Sequence, residues 1–518
     1  MRTEKRNYIL CALACMMSLQ VAAAPARRVW QTGVTPEGKT VTVRQNGDEY
    51  YHYWETQDGQ LAEKQADGSF IVTAEQAPTP EQRAARRAAR MPQKVGQPNL
   101  APRGLVILAS YQDVAIADYN TQAAIDSMMN LFGYDYHGST GSASEYFSDQ
   151  SNGQYVPVFD VVGPVTLPNN RAYYGRNTGG DGTDVNPRQM IVDACKLVDD
   201  QVDFTLYNND GDNLIDFVYV IYAGIGENDR NSVSDAVWAH NNSAASMNCW
   251  LDGLKLSNYA CSGDIDGITL DRNGIGVVCH EFGHVIGLPD YYDAQLGVNV
   301  FWEWSIMDYG CYNHDALTPP NYSIFDKYFM GWATPKFLPK DSALTIHMTA
   351  AYDDAYQIAG GDSLEHYNST QTIYYIENRQ PVSWDAYLPG HGMIVWRVEY
   401  NQSKWNSNRV NETSNVIRYS VVSAKLGQMT GSRSSDEDPF PGSIGKQTFT
   451  PIDGCELTEI TEEEGVLSFL YNGGAPDTPA GIESIQNSGF SIQKTLRDGQ
   501  LLILRGDKWY TATGTIAQ

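Results

Sequence analysis

The stretch Cys279-His280-Glu281-Phe282-Gly283-His284-Val285-Ile286-Gly287-Leu288-Pro289-Asp290 reads H-E-x-x-H-x-x-G-x-x-D and constrains this chain more than any other segment. Residues four apart share a helical face, so His280 and His284 can present imidazoles to one metal ion. Glu281 lies between them, placed to handle the proton of a water at that ion. A helix prolonged to Asp290 would carry its carboxylate roughly 9 Å past His284, at about 1.5 Å per residue. Gly287 removes that obstacle, because glycine tolerates the left-handed conformation that ends helices, and Pro289 blocks a restart. The chain can then turn and return Asp290 to the ion. Two imidazoles and one carboxylate leave a fourth position for water, the arrangement of a catalytic rather than a structural zinc. Ile275, Val277, Val278, Phe282, Val285 and Ile286 make the segment a buried helix, as a core site requires.

This ligand set has chemical consequences. Zinc polarises water and a scissile carbonyl together. An anionic Asp ligand donates more charge than a third histidine, so the water is less acidic and Glu281 has more of the deprotonation to do. Glu281 is therefore read as general base, then as the acid that protonates the leaving amine. Cys279 points about 100° away along the helix and reads as packing, not as a nucleophile. Downstream, Trp304-Ser305-Ile306-Met307-Asp308-Tyr309-Gly310 looks like the methionine turn of the metzincin peptidases, with Met307 as the hydrophobic floor of the metal site. Tyr309 falls where some metzincins carry a tyrosine that ligates zinc at rest and swings to the oxyanion during turnover; a structural tyrosine is the equal alternative.

With these motifs in place, the chain resembles the immune inhibitor A-like secreted metallopeptidases, from about Gly104 to Asn472. The supporting segments are Gly104 to Ala109 with Tyr111-Gln112-Asp113, Gly141-Ser142 with Glu145-Tyr146-Phe147, Gly163-Pro164-Val165 with Tyr173-Tyr174-Gly175, Leu288 to Asp293, and Leu388 to Met393. Asp293 and Glu303 are nearby carboxylates that compete with Asp290 as third ligand; the metzincin-like spacing favours Asp290. Asn208, Asp210, Asp212 and Asp216 match the early part of a calcium loop, with Gly211 at the tight turn, and the resemblance implies such a loop here. The closing bidentate glutamate is missing, and an Asx-rich turn without metal is the alternative. His391, between Gly390 and Gly392, reads as a structural histidine in a glycine turn.

The rest of the chain suits an exported enzyme. At 518 residues, two or three domains are expected. Thirty-six basic against 62 acidic residues give a formal charge of −26, which repels nucleic acid and anionic lipid. Residues 1–24 carry Arg2, Lys5 and Arg6, then an apolar run and Val21-Ala22-Ala23-Ala24, the pattern of a signal peptide. No other segment is long and apolar enough for a membrane span. The expected location is secreted or cell surface. The six remaining cysteines lack C-x-x-C spacing, which argues against a cysteine-ligated zinc; Cys249 and Cys261 are the closest pair for a disulfide, and buried free thiols are the alternative.

Residues 25–103 read as a propeptide or N-terminal accessory domain ending in a basic linker with Arg83, Arg86, Arg87 and Arg90, open to proteolysis. A latch from this segment would use an aspartate such as Asp48; a cysteine latch is excluded, since this segment has no cysteine. Residues 104–332 are expected to form an α+β metzincin-like catalytic domain, its active-site helix packed on a twisted sheet, with substrate extended along an edge strand. Residues 333–472 alternate like strands and read as a β-sandwich domain. Residues 473–518 form a linker and a tail similar to the sorting domains of type nine secretion, which makes that machinery an expected partner. The leading reading is a zinc endopeptidase acting on protein or peptide substrates. The rival is a non-catalytic surface binding protein on a peptidase scaffold.

Overall fold

The computed structural model describes residues 30–47, 52–64, 69–77, 103–178, 183–209, 211–226, 229, 235–292, 299–358, 371–406, 410–411, 416–474, 493–497, 500–505 and 508–511. The segment expected as a signal peptide, the basic linker, Asp48, Asp210 and Asp293 lie outside the described residues. The chain divides into two compact units, Met1–Leu100 and Ala101–Gln518.

The first unit is an antiparallel meander of five strands, β1 (Gln31–Val34), β2 (Thr40–Gly47), β3 (His52–Thr56), β4 (Gln60–Lys64) and β5 (Phe70–Gln76), paired in sequence order. Its small core gathers Val43, Ala62 and Phe70, with Trp54 edge-on to Phe70 at 5.0 Å.

The second unit begins with β6 (Arg103–Ser110), whose run Leu105 to Ala109 is buried throughout. Such a run suits a strand covered on both faces. β6 pairs in parallel with β7 (Val158–Thr166) and β8 (Val218–Ile225), and β8 with β10 (Asn258–Ile265). The short β9 (His240–Ser243) lies antiparallel to β10 and closes one edge, giving the order β9-β10-β8-β6-β7. Helices α1 (Gln122–Asn130), α2 (Ala143–Gln150) and α3 (Pro187–Val198) pack around this sheet. Ser142 caps α2 by accepting from the Glu145 amide, which aims Phe147 edge-on at Phe282, 5.0 Å between rings. α4 (Ile275–Val285) carries the histidine motif and packs against β10 and β9; Ile275 through Gly283 are all buried.

Beyond α5 (Ile324–Phe329) the chain becomes β-rich. One sheet has the order β11 (Lys336–Leu338), β13 (Ala355–Ile358), β14 (Ile373–Arg379), β15 (Gly392–Val398), β16 (Tyr419–Ser423), β17 (Gly427–Gln428). A second has the order β12 (Leu344–Met348), β20 (Val466–Tyr471), β19 (Cys455–Glu463), β18 (Phe449–Ile452). The period-2 alternation of strands sends neighbouring residues to different cores. Met393 and Val395 of β15 join Ile346, Leu457 and Phe469 of the second sheet in one cluster. Ile394, Trp396 and Val398 face the other way and belong to the same core as Leu105, Val220 and Phe282. The region up to α5 and the β-rich segment therefore share a core, where the change to strand-like alternation at residue 333 predicts separate domains. β21 (Gln493–Arg497), β22 (Gln500–Arg505) and β23 (Lys508–Thr511) form a short antiparallel meander near the end of the chain.

Cys195, Cys249, Cys261, Cys279, Cys311 and Cys455 are all buried and unpaired, so the Cys249–Cys261 disulfide is absent. Burial holds the thiols of Cys261, Cys279 and Cys311 well above the ordinary cysteine range. Among the described residues no helix is long and apolar enough to cross a membrane.

Candidate active site

α4 ends where the sequence predicts. Gly287 takes φ +106, the Gly287 amide donates to the His284 carbonyl at 3.1 Å, and the Leu288 amide donates back to the Gly283 carbonyl at 3.0 Å. The chain reverses, and Asp290 returns beneath the helix end. Its Oδ1 stands 3.2 Å from Nε2 of His280 and 3.2 Å from Nε2 of His284. The two rings lie 4.9 Å apart, nearly perpendicular.

Each imidazole is oriented through its other nitrogen. His280 Nδ1 is 2.7 Å from the Ile306 carbonyl and His284 Nδ1 is 2.8 Å from the Leu288 carbonyl. A carbonyl only accepts, so both Nδ1 atoms carry protons, and in the neutral rings both Nε2 lone pairs face Asp290. Two such nitrogens and one carboxylate oxygen within 4.8 Å of one another fit a zinc ion's preferred donor set. No other cluster of this kind occurs among the described residues.

The electrostatics agree with a site built around positive charge. Burial disfavours a charged His284, yet Asp290 beside it outweighs burial and lifts its pKa to about 9. His280 is raised in the same way, against its own burial. Burial also acts on Asp290, but the two imidazoles hold its carboxyl well below the usual range. Glu281 is buried, and burial raises its pKa above that of an ordinary glutamate, opposed by the neighbouring histidines.

The segment Ser305 to Tyr309 passes under this cluster. Ile306 supplies the carbonyl that orients His280, and Met307 is fully buried against α4. A Cβ built on Gly283, between the two histidines, would stand 2.7 Å from Met307 Sδ. Asp308 anchors the turn: its carboxylate accepts from the amides of Val300, Phe301 and Tyr309.

The other expected residues have contacts of their own. Tyr309 contacts Trp302 and Tyr312, with ring centroids 5.4 Å away in both cases, and lies under the Arg433 guanidinium. Glu303 is bound to Arg433 at 2.6 Å and to the Ser434 hydroxyl and is not part of the His280–His284–Asp290 cluster. In the Asn208–Asp216 loop, Asn208 Oδ1 accepts from the amides of Gly211 and Asp212, Asp212 Oδ1 from Leu214, and Asp216 Oδ2 from Asn209. These oxygens brace the turn itself. His391 pairs with Glu462 at 2.7 Å, far along the chain.

Sequence reasoning missed Tyr292. Its hydroxyl hydrogen-bonds the Asp290 carboxylate, and burial, then the charges of Asp290 and Glu281, hold its pKa far above the ordinary tyrosine value. The only local signal was its place two residues after Asp290.

Residues 107–332 match the family described as Immune inhibitor A peptidase M6, catalytic domain. The chain is 28% identical over 222 residues to "Immune inhibitor A" of Bacillus thuringiensis subsp. alesti, covering 36% of this chain and 32% of that protein. It is also 28% identical over 230 residues to "Pre-pro-metalloprotease PrtV" of Vibrio cholerae serotype O1, covering 38% of this chain and 24% of that protein. The chain thus spans a third or less of the length of these relatives.

Proposed function

We propose that this chain, whose residues 107–332 match the Immune inhibitor A peptidase M6 catalytic-domain family, is a secreted zinc-dependent endopeptidase of metzincin-like architecture. The observation that carries the proposal is the approach of His280 Nε2, His284 Nε2 and Asp290 Oδ1 to one point beside a buried Glu281. His280, His284 and Asp290 are the residues that would hold the ion. Zinc in that position supplies Lewis acidity toward water and toward the scissile carbonyl.

The chain's own residues do the rest. Glu281 takes the proton of the attacking water and passes it to the leaving amine; its raised affinity for protons suits both tasks. The Ile306 and Leu288 carbonyls hold the imidazoles in the tautomer that offers Nε2. Tyr292 steadies the Asp290 carboxylate. Met307 closes the site from below and keeps it dry. The substrate backbone runs along β9, the antiparallel edge strand against which α4 packs, close to the exposed Trp238.

The remaining segments take supporting roles in this proposal. Residues 25–103 act as a propeptide removed on activation, 333–472 as a β-sandwich companion, and 473–518 as a tail for type nine export. The Asn208–Asp216 loop, with Asp210, takes a structural calcium ion.

The test is casein cleavage by the purified, processed protein with and without a zinc chelator, repeated with Glu281→Ala. The expected result is chelator-sensitive cleavage restored by added zinc, and a variant that keeps its zinc while kcat/KM falls by about 100- to 10,000-fold. Absence of chelator-sensitive cleavage would leave the surface-binding alternative, and full activity in Glu281→Ala would remove Glu281 from its role.

A further inference from the structure

We propose that Asn411, outside the matched peptidase region, is a positioning residue for the metal site: it sets Asp290 through the backbone of Tyr291, so the β-rich segment completes the centre. This rests on the reading of Asp290 as a zinc ligand.

Asp290 sits in a turn with no regular hydrogen-bond ladder to hold it. A metal carboxylate must nonetheless be fixed to within about 0.5 Å to select its ion. The next residue does the fixing. The Tyr291 amide donates to the Met307 carbonyl at 3.0 Å. The Tyr291 hydroxyl donates to Asp326 Oδ1 on α5 at 2.6 Å. Its ring lies edge-on to Tyr419 at 4.7 Å and against Phe301 at 5.5 Å. The Tyr291 carbonyl accepts from Asn411 Nδ2 at 2.7 Å. Each polar group of Tyr291 is therefore tied to a different segment, and the two peptide planes that follow Asp290 are both pinned.

Asn411 is built for this task. It is wholly buried and uses its full hydrogen-bonding capacity. Nδ2 also donates to the Tyr419 carbonyl at 2.9 Å, while Oδ1 accepts from the amides of Arg418 at 2.9 Å and Tyr419 at 3.1 Å. One side chain thus joins the start of β16 to the turn that carries Asp290. An apolar residue would fill the same space but leave the Tyr291 carbonyl buried without its donor, which a core does not tolerate cheaply. The Ser323 hydroxyl extends the brace, reaching Tyr419 Oη at 2.5 Å and capping α5 through Asp326.

The experiment compares the full chain with Asn411→Asp, Tyr291→Phe and Asp290→Ala. Asn411→Asp keeps size and acceptors but sets an oxygen against the Tyr291 carbonyl. Tyr291→Phe removes only the hydroxyl bond to Asp326. Zinc affinity is measured by chelator competition, and the cobalt-substituted proteins are compared by visible absorption, at a temperature where near-ultraviolet circular dichroism is native. Both positioning variants are expected to bind zinc 10- to 100-fold more weakly, in the range of outer-shell substitutions, and to shift the cobalt bands. Unchanged affinity and spectrum in Asn411→Asp, with affinity lost in Asp290→Ala, would overturn the positioning role whatever Tyr291→Phe does, and leave the ligand reading intact. Unchanged affinity in Asp290→Ala would overturn the ligand reading itself. If Asn411→Asp does not fold, Asn411→Ser, whose shorter side chain withdraws the donor from the Tyr291 carbonyl, decides between the same outcomes.

Discussion

Gly276 and Gly283 lie on one helix and face different obstacles. A Cβ on Gly276 would come within 1.9 Å of the Cys311 carbonyl oxygen, which is backbone and cannot yield. A Cβ on Gly283 meets the Met307 sulfur, the far part of a flexible side chain. We expect Gly276→Ala to give no folded protein. Gly283→Ala should fold with a loss of about 1–3 kcal/mol, the range for overpacking, as read from urea unfolding. Equal stability of the two variants would contradict this geometry. At this scale much of the site was legible. The spacing of His280, Glu281 and His284 is a helical fact, and the break at Gly287 follows from its backbone freedom. Tyr292 and Asn411 were not legible, because each acts through a partner that only tertiary folding supplies. The pairing of Glu303 with Arg433, 130 residues away, was likewise not legible.

α5 shows how a short element serves the site from outside it. Ser323 and Asp326 form a reciprocal capping box, and Asp326 also receives the Tyr291 hydroxyl. Burial lifts the Asp326 pKa to about 6, opposed by its hydrogen bonds. The folded protein therefore keeps a proton that the unfolded chain has released between about pH 4 and 6. With the folded pKa raised, this group's contribution is fully present below the unfolded value and is lost as pH rises through 6. Asp326→Asn should accordingly flatten the fall in unfolding free energy between pH 4 and pH 6, by up to ~3 kcal/mol. Parallel curves for the two proteins would show that Asp326 does not titrate as placed. The capping signature was present in the sequence, but the burial that gives it consequence was not. The strands of the β-rich segment were more legible: Met393 to Val398 reads as alternation and is found within Gly392–Val398.

At the scale of the molecule, the segments expected as two domains on either side of Ala333 share one hydrophobic cluster. Tyr375, Ile394, Trp396 and Val398 are buried in the same cluster as the strands and helix of the peptidase region. A chain cut after Ala333 should leave that face uncovered and fail to fold, giving neither near-ultraviolet dichroism nor zinc retention, whereas a chain ending after Gly474 should show both. A folded, zinc-retaining short fragment would refute the shared core. The sequence could not reveal this sharing, because alternation tells which residues point together and not what they point at. One practical consequence comes from the six buried, unpaired thiols. The described part of this chain has no covalent cross-link for dithiothreitol to break, so silencing by that reagent would report capture of the ion by its sulfurs. Such a result should not be mistaken for evidence of a redox-dependent fold.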